Sequence, residues 1–258
     1  MRAVRPLVVL LFLCGLVAGP ADAQPAPAAD TASLAQIDGR TLQPTTLRYD
    51  VVVEARGQSR TFSARRTLTA TQTDGQATWT VTDRTSLPQA TVVDSLVLDR
   101  STLRPVSRRL SGPMTMSVTY TDTSATGSLQ LRGQSRRIDA SFDHPTLAGG
   151  ANVRMALAAL PLAPDAAAAL PVYNEQQQST QTLRFEVTGT ETVETAAGTF
   201  DTFAVSIQSS GGGLSGTLYV RHTAPHHIVR STLTQPGPQG DRSFTRTLTS
   251  IGSDGPSD

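Results

Sequence analysis

The chain has 258 residues, with 22 basic and 21 acidic side chains and a formal net charge of +1. Every basic residue is arginine, so no lysine base or Schiff-base lysine is available to any chemistry. A near-neutral balance without a basic run also argues against nucleic-acid binding, which needs a field of positive charge.

In chain order, the first element is the pattern of a secretory signal. Arg2 and Arg5 supply the positive start, Leu7 to Val17 is an apolar run of 11 residues, and Gly19-Pro20 breaks it. Ala21-Asp22-Ala23 then reads small-x-small, which predicts cleavage after Ala23 and a mature chain beginning at Gln24. The apolar run is well short of the ~20 residues of a membrane-spanning helix. Cys14 is the only cysteine; Leu13 stands before it, where a lipoprotein signal needs a small residue. The expectation is a thiol-free protein, periplasmic or secreted, that is neither a lipoprotein nor an integral membrane protein.

The remaining boundaries follow from composition. Residues 24–45 are Ala- and Pro-rich and read as a flexible linker, 46–251 as a single antiparallel β domain, and 252–258 as a loose tail. Within the domain, oily and polar residues alternate with period two in runs rich in Thr and Val, as a half-buried strand requires. Leu47, Tyr49, Val51 and Val53 share one face, and Met114, Met116, Val118 and Tyr120 another. Trp79 with Val81, Leu183-Phe185-Val187, Phe203-Val205-Ile207 and Phe244 with Leu248 repeat the pattern.

Turn signals separate these runs at short intervals, among them Asp74-Gly75, Arg132-Gly133-Gln134 and Gly211-Gly212-Gly213. Short connections make antiparallel neighbours. The predicted fold is therefore all-β, a wide curved meander of roughly a dozen strands that forms a half-barrel or barrel-like sheet. Near 150–170 the alternation stops. Val153, Ala156, Leu157 and Leu160 lie at helical spacing, which predicts one short amphipathic helix stopped by Pro161. It divides about eight strands from about six, and acts either as a plug in the concave face or as a lid over a ligand.

Three stretches carry a family resemblance: Leu98 to Val106, Val193 to Phe203 with its Ala-Gly-Thr-Phe hairpin, and Thr217-Leu218-Tyr219-Val220 running to His227-Ile228-Val229-Arg230. With Leu160-Pro161-Leu162 they resemble the bacterial periplasmic family called domain of unknown function 3108, over Thr46 to about Ile251. The resemblance implies an exported β-rich domain without an established activity, and it carries over no functional residues. In outline the expected fold is also similar to the half-barrel lipoprotein and lipid carriers of the periplasm. Each motif has a plain reading as well: Gly198 at a hairpin with Val193 and Phe203 packing across its arms, and Pro105 at an edge or bulge.

Catalytic patterns are sparse. Gly211 to Gly216 matches G-x-G-x-x-G, but a strand follows where a dinucleotide site needs a helix N-terminus. Thr217 breaks the G-x-S-x-G pattern around Ser215. His222, His226 and His227 flank a turn and are weak metal candidates, against the simpler reading of a solvated turn. An outer-membrane barrel is disfavoured by 5% aromatic residues and by a terminus without an aromatic strand.

The more informative pattern is arginine on an apolar face. Arg66 is in phase with Phe62 and Leu68, Arg108 with Val106 and Leu110, and Arg246 with Phe244 and Leu248. A buried guanidinium needs a partner. These three either pair with in-phase carboxylates such as Asp94, or line a pocket for an acidic amphiphile together with Tyr49, Met116 and Tyr120. The leading expectation is a non-enzymatic envelope protein, without a cofactor, that binds a lipid or another hydrophobic or amphipathic ligand on its concave face. Two further classes stand beside it: a scaffolding module for an envelope protein partner, and a metal-assisted hydrolase using the His222 to His227 hairpin.

Overall fold

The computed structural model describes residues 31–238 and 240–252. The predicted signal with Cys14 and the Ala23 cleavage site, residues 24–30 of the linker and residues 253–258 of the tail lie outside the described residues.

The strands are β1 (Thr31–Ala32), β2 (Thr45–Ala55), β3 (Gln58–Thr73), β4 (Gln76–Leu87), β5 (Ala90–Asp99), β6 (Pro105–Ser111), β7 (Met114–Tyr120) and β8 (Ser124–Leu131). They continue with β9 (Gln134–Ser141), β10 (Leu147–Ala148), β11 (Ala167–Asn174), β12 (Ser179–Thr195), β13 (Gly198–Ser209), β14 (Ser215–Arg221), β15 (Ile228–Gln235) and β16 (Arg242–Gly252). One helix, α1 (Ala151–Ala158), interrupts them. Eight long strands thus precede the helix and six follow it, as the turn spacing predicts.

Local chemistry explains the hairpins. Asp74-Gly75 and Arg132-Gly133 both place two successive residues at positive φ, 51° and 79° in each case. That conformation matches the twist of the flanking strands and suits Asp-Gly or X-Gly pairs. The turn at Ala196-Ala197 joins β12 to β13, with Gly198 at φ 127°. Here one expectation needs correction: Val193 sits opposite Phe200, and Phe203 sits opposite Thr190.

The long-range order is less simple than a meander. Among the described residues the strands form one sixteen-stranded sheet, in which β2 to β9 pair in sequence and β11 to β16 pair in sequence. The last strand, β16, pairs antiparallel with β2, from Arg242 opposite Ala55 to Gly252 opposite Thr46. The middle of the sheet is therefore built from strands near the two ends of the chain. Its outermost long strands are β9 and β11, the latter edged by the two-residue strands β1 and β10; no ladder joins β9 to β11, so the sheet curls without closing.

Other contacts span that gap. β10 pairs parallel with Val172 and Tyr173 of β11. Gln178 Nε2 donates to the Arg137 carbonyl at 2.6 Å, and the Phe142 and Tyr173 rings lie 5.1 Å apart.

Period-two patterning puts one face inward throughout. Met114, Met116, Val118 and Tyr120 are buried while Thr115, Ser117 and Thr119 are exposed. Trp79, Val81, Leu96 and Leu98 form the fully buried centre, each contributing about 1.5–3 kcal/mol relative to exposure. The helix departs from expectation. Seven of the eight residues of α1 are buried, all but Arg154, so it is apolar around its circumference rather than amphipathic. The reason is its place inside the concavity, where Val153, Met155, Ala156 and Leu157 join the same core as Trp79 and Leu96. Its one buried polar side chain is satisfied: Asn152 accepts from Ala148 N–H and donates to the Leu103 carbonyl, both at 2.9 Å.

The segment before β2, expected to be a tether, is packed in the part that the structure describes. Leu34–Gln36 and Gly39–Thr41 form two 3₁₀ turns, and Ile37 and Leu42 join the core. Trp79 Nε1 donates to the Gly39 carbonyl at 2.9 Å, fastening this segment to the sheet.

Tight backbone approach makes Gly127 decisive, as it does Gly39 and Gly216. A Cβ at Gly127 in β8 would lie 2.0 Å from the Ser117 carbonyl oxygen, whereas one at Gly189 in β12 would meet nothing within 4 Å. Gly127→Ala is expected to destabilise the fold by about 3 kcal/mol, and Gly189→Ala by less than about 0.5 kcal/mol. Urea unfolding of the two variants checks the contrast.

Candidate functional site

The inner face encloses a cavity of about 260 Å³. Its walls come from strands far apart in the sheet: Met116 of β7, Val51 of β2, Leu218 of β14 and Val172 of β11 all line it, with Val153 and Leu157 of α1. Strands this distant border one space only because the sheet curls around it. Most of the wall is apolar, and a band of charge crosses it.

The first charged group centres on Asp83. This residue is in phase with Trp79 and Val81 on β4 and so faces inward. Arg66 of β3 sits across from it in register and donates through Nε and Nη2 at 2.7 and 2.6 Å. Arg154 of α1 donates to the same carboxylate at 3.1 Å. Arg246 of β16 approaches it only to 3.9 Å and stacks over the Tyr49 ring at 4.9 Å. Burial pushes the Asp83 carboxyl up, but Arg66, Arg154 and Arg246 together outweigh burial and hold it far below the usual carboxylate range. The cations feel the opposite balance. Burial pulls Arg154 down to about 9, with Arg66 and Arg246 adding to the effect, which still leaves it charged at neutral pH. Burial also lowers Arg246, and Arg66 lowers it further against the pull of Asp83.

The second group centres on Arg108 of β6. Its Nε and Nη2 donate to Asp94 of β5 at 2.9 and 2.7 Å, and its Nη1 donates to both Glu175 oxygens at 2.9 Å. Tyr120 donates its hydroxyl to Glu175 as well. Burial opposes the charge on Arg108, yet Glu175 and Asp94 raise the guanidinium well above its ordinary value. Burial and then Glu175 raise the Tyr120 phenol. Because Glu175 follows β11 and Arg108 lies in β6, this pair ties opposite parts of the curled sheet together.

The arginines expected on the inner face therefore divide. Arg66 and Arg108 are answered by carboxylates, Arg108 by the in-phase Asp94 that the sequence suggests. Arg246 is under-paired and lines the cavity, as do Arg108 and Met116. Arg66, Tyr49 and Tyr120 are buried behind the lining, with Tyr49 donating to the Ile228 carbonyl at 3.2 Å. The sequence reading missed Asp83, Arg154 and Glu175. Phase with Trp79 and Val81 is a signal that finds Asp83; nothing in the local pattern finds the other two.

The histidine hairpin does not converge. His226 Nδ1 lies 2.8 Å from the Arg221 carbonyl, and the His222 ring packs on Phe203 with centroids 4.3 Å apart. His227 is buried, and burial, then Arg221 and His226, push it down to about 4. Among the described residues no three His, Cys, Asp or Glu side chains gather as a metal site.

Known proteins offer a frame for this geometry. The model of the family described as "Protein of unknown function (DUF3108)" matches residues 35–233. No curated protein matches the sequence. Among solved structures, a β-barrel-like protein of domain of unknown function DUF1849 from Brucella abortus is similar over 82% of this chain and 98% of its own, at 10% identity and a TM-score of 0.52. That likeness supports the fold alone. A candidate outer-membrane lipoprotein-sorting protein domain from Vibrio parahaemolyticus covers 87% of this chain and 90% of its own, at 8% identity and a TM-score of 0.37. A candidate exported protein with a YmcC-like fold from Bacteroides fragilis covers 84% and 99%, at 12% identity and a TM-score of 0.33.

Asp83 and Arg246, members of one charged group, make opposite contributions to stability. Asp83→Asn leaves three guanidinium groups without a counter-charge and is expected to cost about 3–5 kcal/mol at pH 7. Arg246→Met removes a surplus cation and is expected to leave stability unchanged or raise it by about 1 kcal/mol. The Asp83 contribution in the wild type is complete above the ordinary carboxyl value of about 4 and is lost as pH falls below it toward the lower folded value. Urea unfolding of both variants at pH 7, and of the wild type from pH 7 to pH 2.5, checks these signs.

Proposed function

This chain belongs to the DUF3108 family, and from that premise we propose that it is an exported, non-enzymatic envelope protein that holds one hydrophobic or amphipathic molecule inside its curved sheet. The supporting observation is the cavity of about 260 Å³, walled by apolar side chains from strands on both sides of the sheet. Small-molecule sites are concave, largely apolar and carry a few placed polar groups, at volumes of about 300–1,000 Å³. A cavity just below that range suits a single slender chain better than a bulky ring system. Export is supported by the Arg2 to Ala23 pattern at the start of the sequence.

A second reading, an envelope protein partner, draws on one feature. β9 has β8 as its ladder partner on one side and, among the described residues, no ladder partner on the other. Such an edge accepts an added strand. Arg136 and Arg137 stand exposed along it, and charges of this kind usually discourage edge pairing, so the cavity is the better-supported site.

A neutral single-chain probe, decanol, titrated calorimetrically, tests the cavity without involving head-group charge. We expect saturable one-to-one binding, weakened at least about tenfold by Leu214→Trp or Leu233→Trp, since both half-buried residues line the space. Binding that does not saturate, or that ignores both bulky variants, overturns the reading.

A further inference from the structure

Among the described residues, three buried side-chain polar atoms have no hydrogen-bond partner: Arg154 Nε, Tyr173 Oη and Arg246 Nη1. All three belong to residues lining the one cavity. Buried polar groups are normally satisfied, and each exception calls for an explanation. Two of them, on Arg154 and Arg246, flank the same carboxylate, Asp83, and share one explanation.

Charge count points the same way. Four guanidinium groups, on Arg66, Arg108, Arg154 and Arg246, face three carboxylates, on Asp83, Asp94 and Glu175. One positive charge is left over. It is unevenly placed, because Arg108 with its two carboxylates is net negative by one while Asp83 with its three arginines is net positive by two. The surplus thus lies beside Arg154 and Arg246. These two are also the reachable members: their side chains keep 26% and 15% of their surface exposed, against 2% for Arg66, which is sealed against Asp83.

Resting on the reading of the cavity as a ligand site, we propose that its occupant is an amphiphile with an oxyanion head, a carboxylate or a phosphate ester, received by Arg154 and Arg246. Guanidinium groups are well suited to this task, because their forked donors match carboxylate and phosphate oxygens. Stacking on Tyr49 fixes the plane of Arg246. Arg154 projects from the single helix inside the concavity, so the head is gripped between helix and sheet. Beside this grip the wall turns apolar at once. Val51 is the cross-strand partner of Arg246, and Phe244 lies two residues along the same face, which gives the tail a continuous path from the head.

A matched series of ten-carbon ligands tests this on the full mature chain: decanoate, decyl phosphate, decanol and decyltrimethylammonium, titrated calorimetrically at pH 7.4. The expected result is that the two anions bind at least about tenfold tighter than the alcohol, with the cation weakest. The gap between anion and alcohol closes in Arg246→Gln and in Arg154→Gln, and persists in Arg109→Gln on the exposed face of β6. Either of the first two variants suffices if the other fails to fold. Equal affinity for decanoate and decanol overturns the head-group assignment while the cavity reading stands. If inorganic phosphate or acetate alone binds as tightly as its ten-carbon counterpart, the site takes a free anion and the amphiphile is overturned. If none of the series binds, the cavity reading itself has failed.

Discussion

Charge held inside a curled sheet is the constraint from which the rest of this structure follows. A guanidinium removed from water must be answered by a carboxylate, or the fold is destabilised by several kcal/mol. Asp83 and Asp94, cross-strand partners on β4 and β5, provide two of those answers side by side. Glu175 provides the third, from the opposite border of the sheet. Since each pairing needs a defined strand register, the ionic groups and the sheet curvature specify one another.

The same arrangement accounts for a sheet that bends almost into a barrel and stops short. β9 and β11 do not share a ladder, and the gap between them is bridged by side chains and by the two-residue strand β10. Arg108 reaching Glu175 acts across the interior like a strut. An eight-residue helix is the only regular element placed inside among the described residues, and it does not fill the enclosed volume. The space left over is apolar along most of its wall and positively charged at one place. A filled core would have no use for Arg154 and Arg246 in that position, since apolar residues of similar size would pack there without the electrostatic cost.

Much of the fold was legible because a half-buried strand writes its burial into every second residue. Met114 to Tyr120 and Leu47 to Val53 needed no other information, and Asp-Gly or Arg-Gly pairs marked the turns between strands. Asp94 could be named on phase alone as a partner for an inward arginine, but phase did not say which of the three. The pairing of β16 with β2 was hidden, because it joins residues about 200 positions apart and no local pattern encodes such a partner. The packing of residues 34–42 was hidden by composition: two apolar residues, Ile37 and Leu42, anchor a stretch that otherwise reads as linker. Arg154 was missed for a different reason. A helical wheel separates an oily face from a polar one, but α1 is surrounded on all sides, so its one charged side chain is turned toward the cavity rather than toward solvent.

On our proposal, the surplus guanidinium charge of this interior holds an acidic, oily molecule. Native mass spectrometry of the protein, released gently from lipid-rich cells, tests it most directly. The expected result is one added mass per polypeptide, identified after extraction as a single-chain acid. A bare polypeptide mass, obtained repeatedly from such preparations, would contradict it.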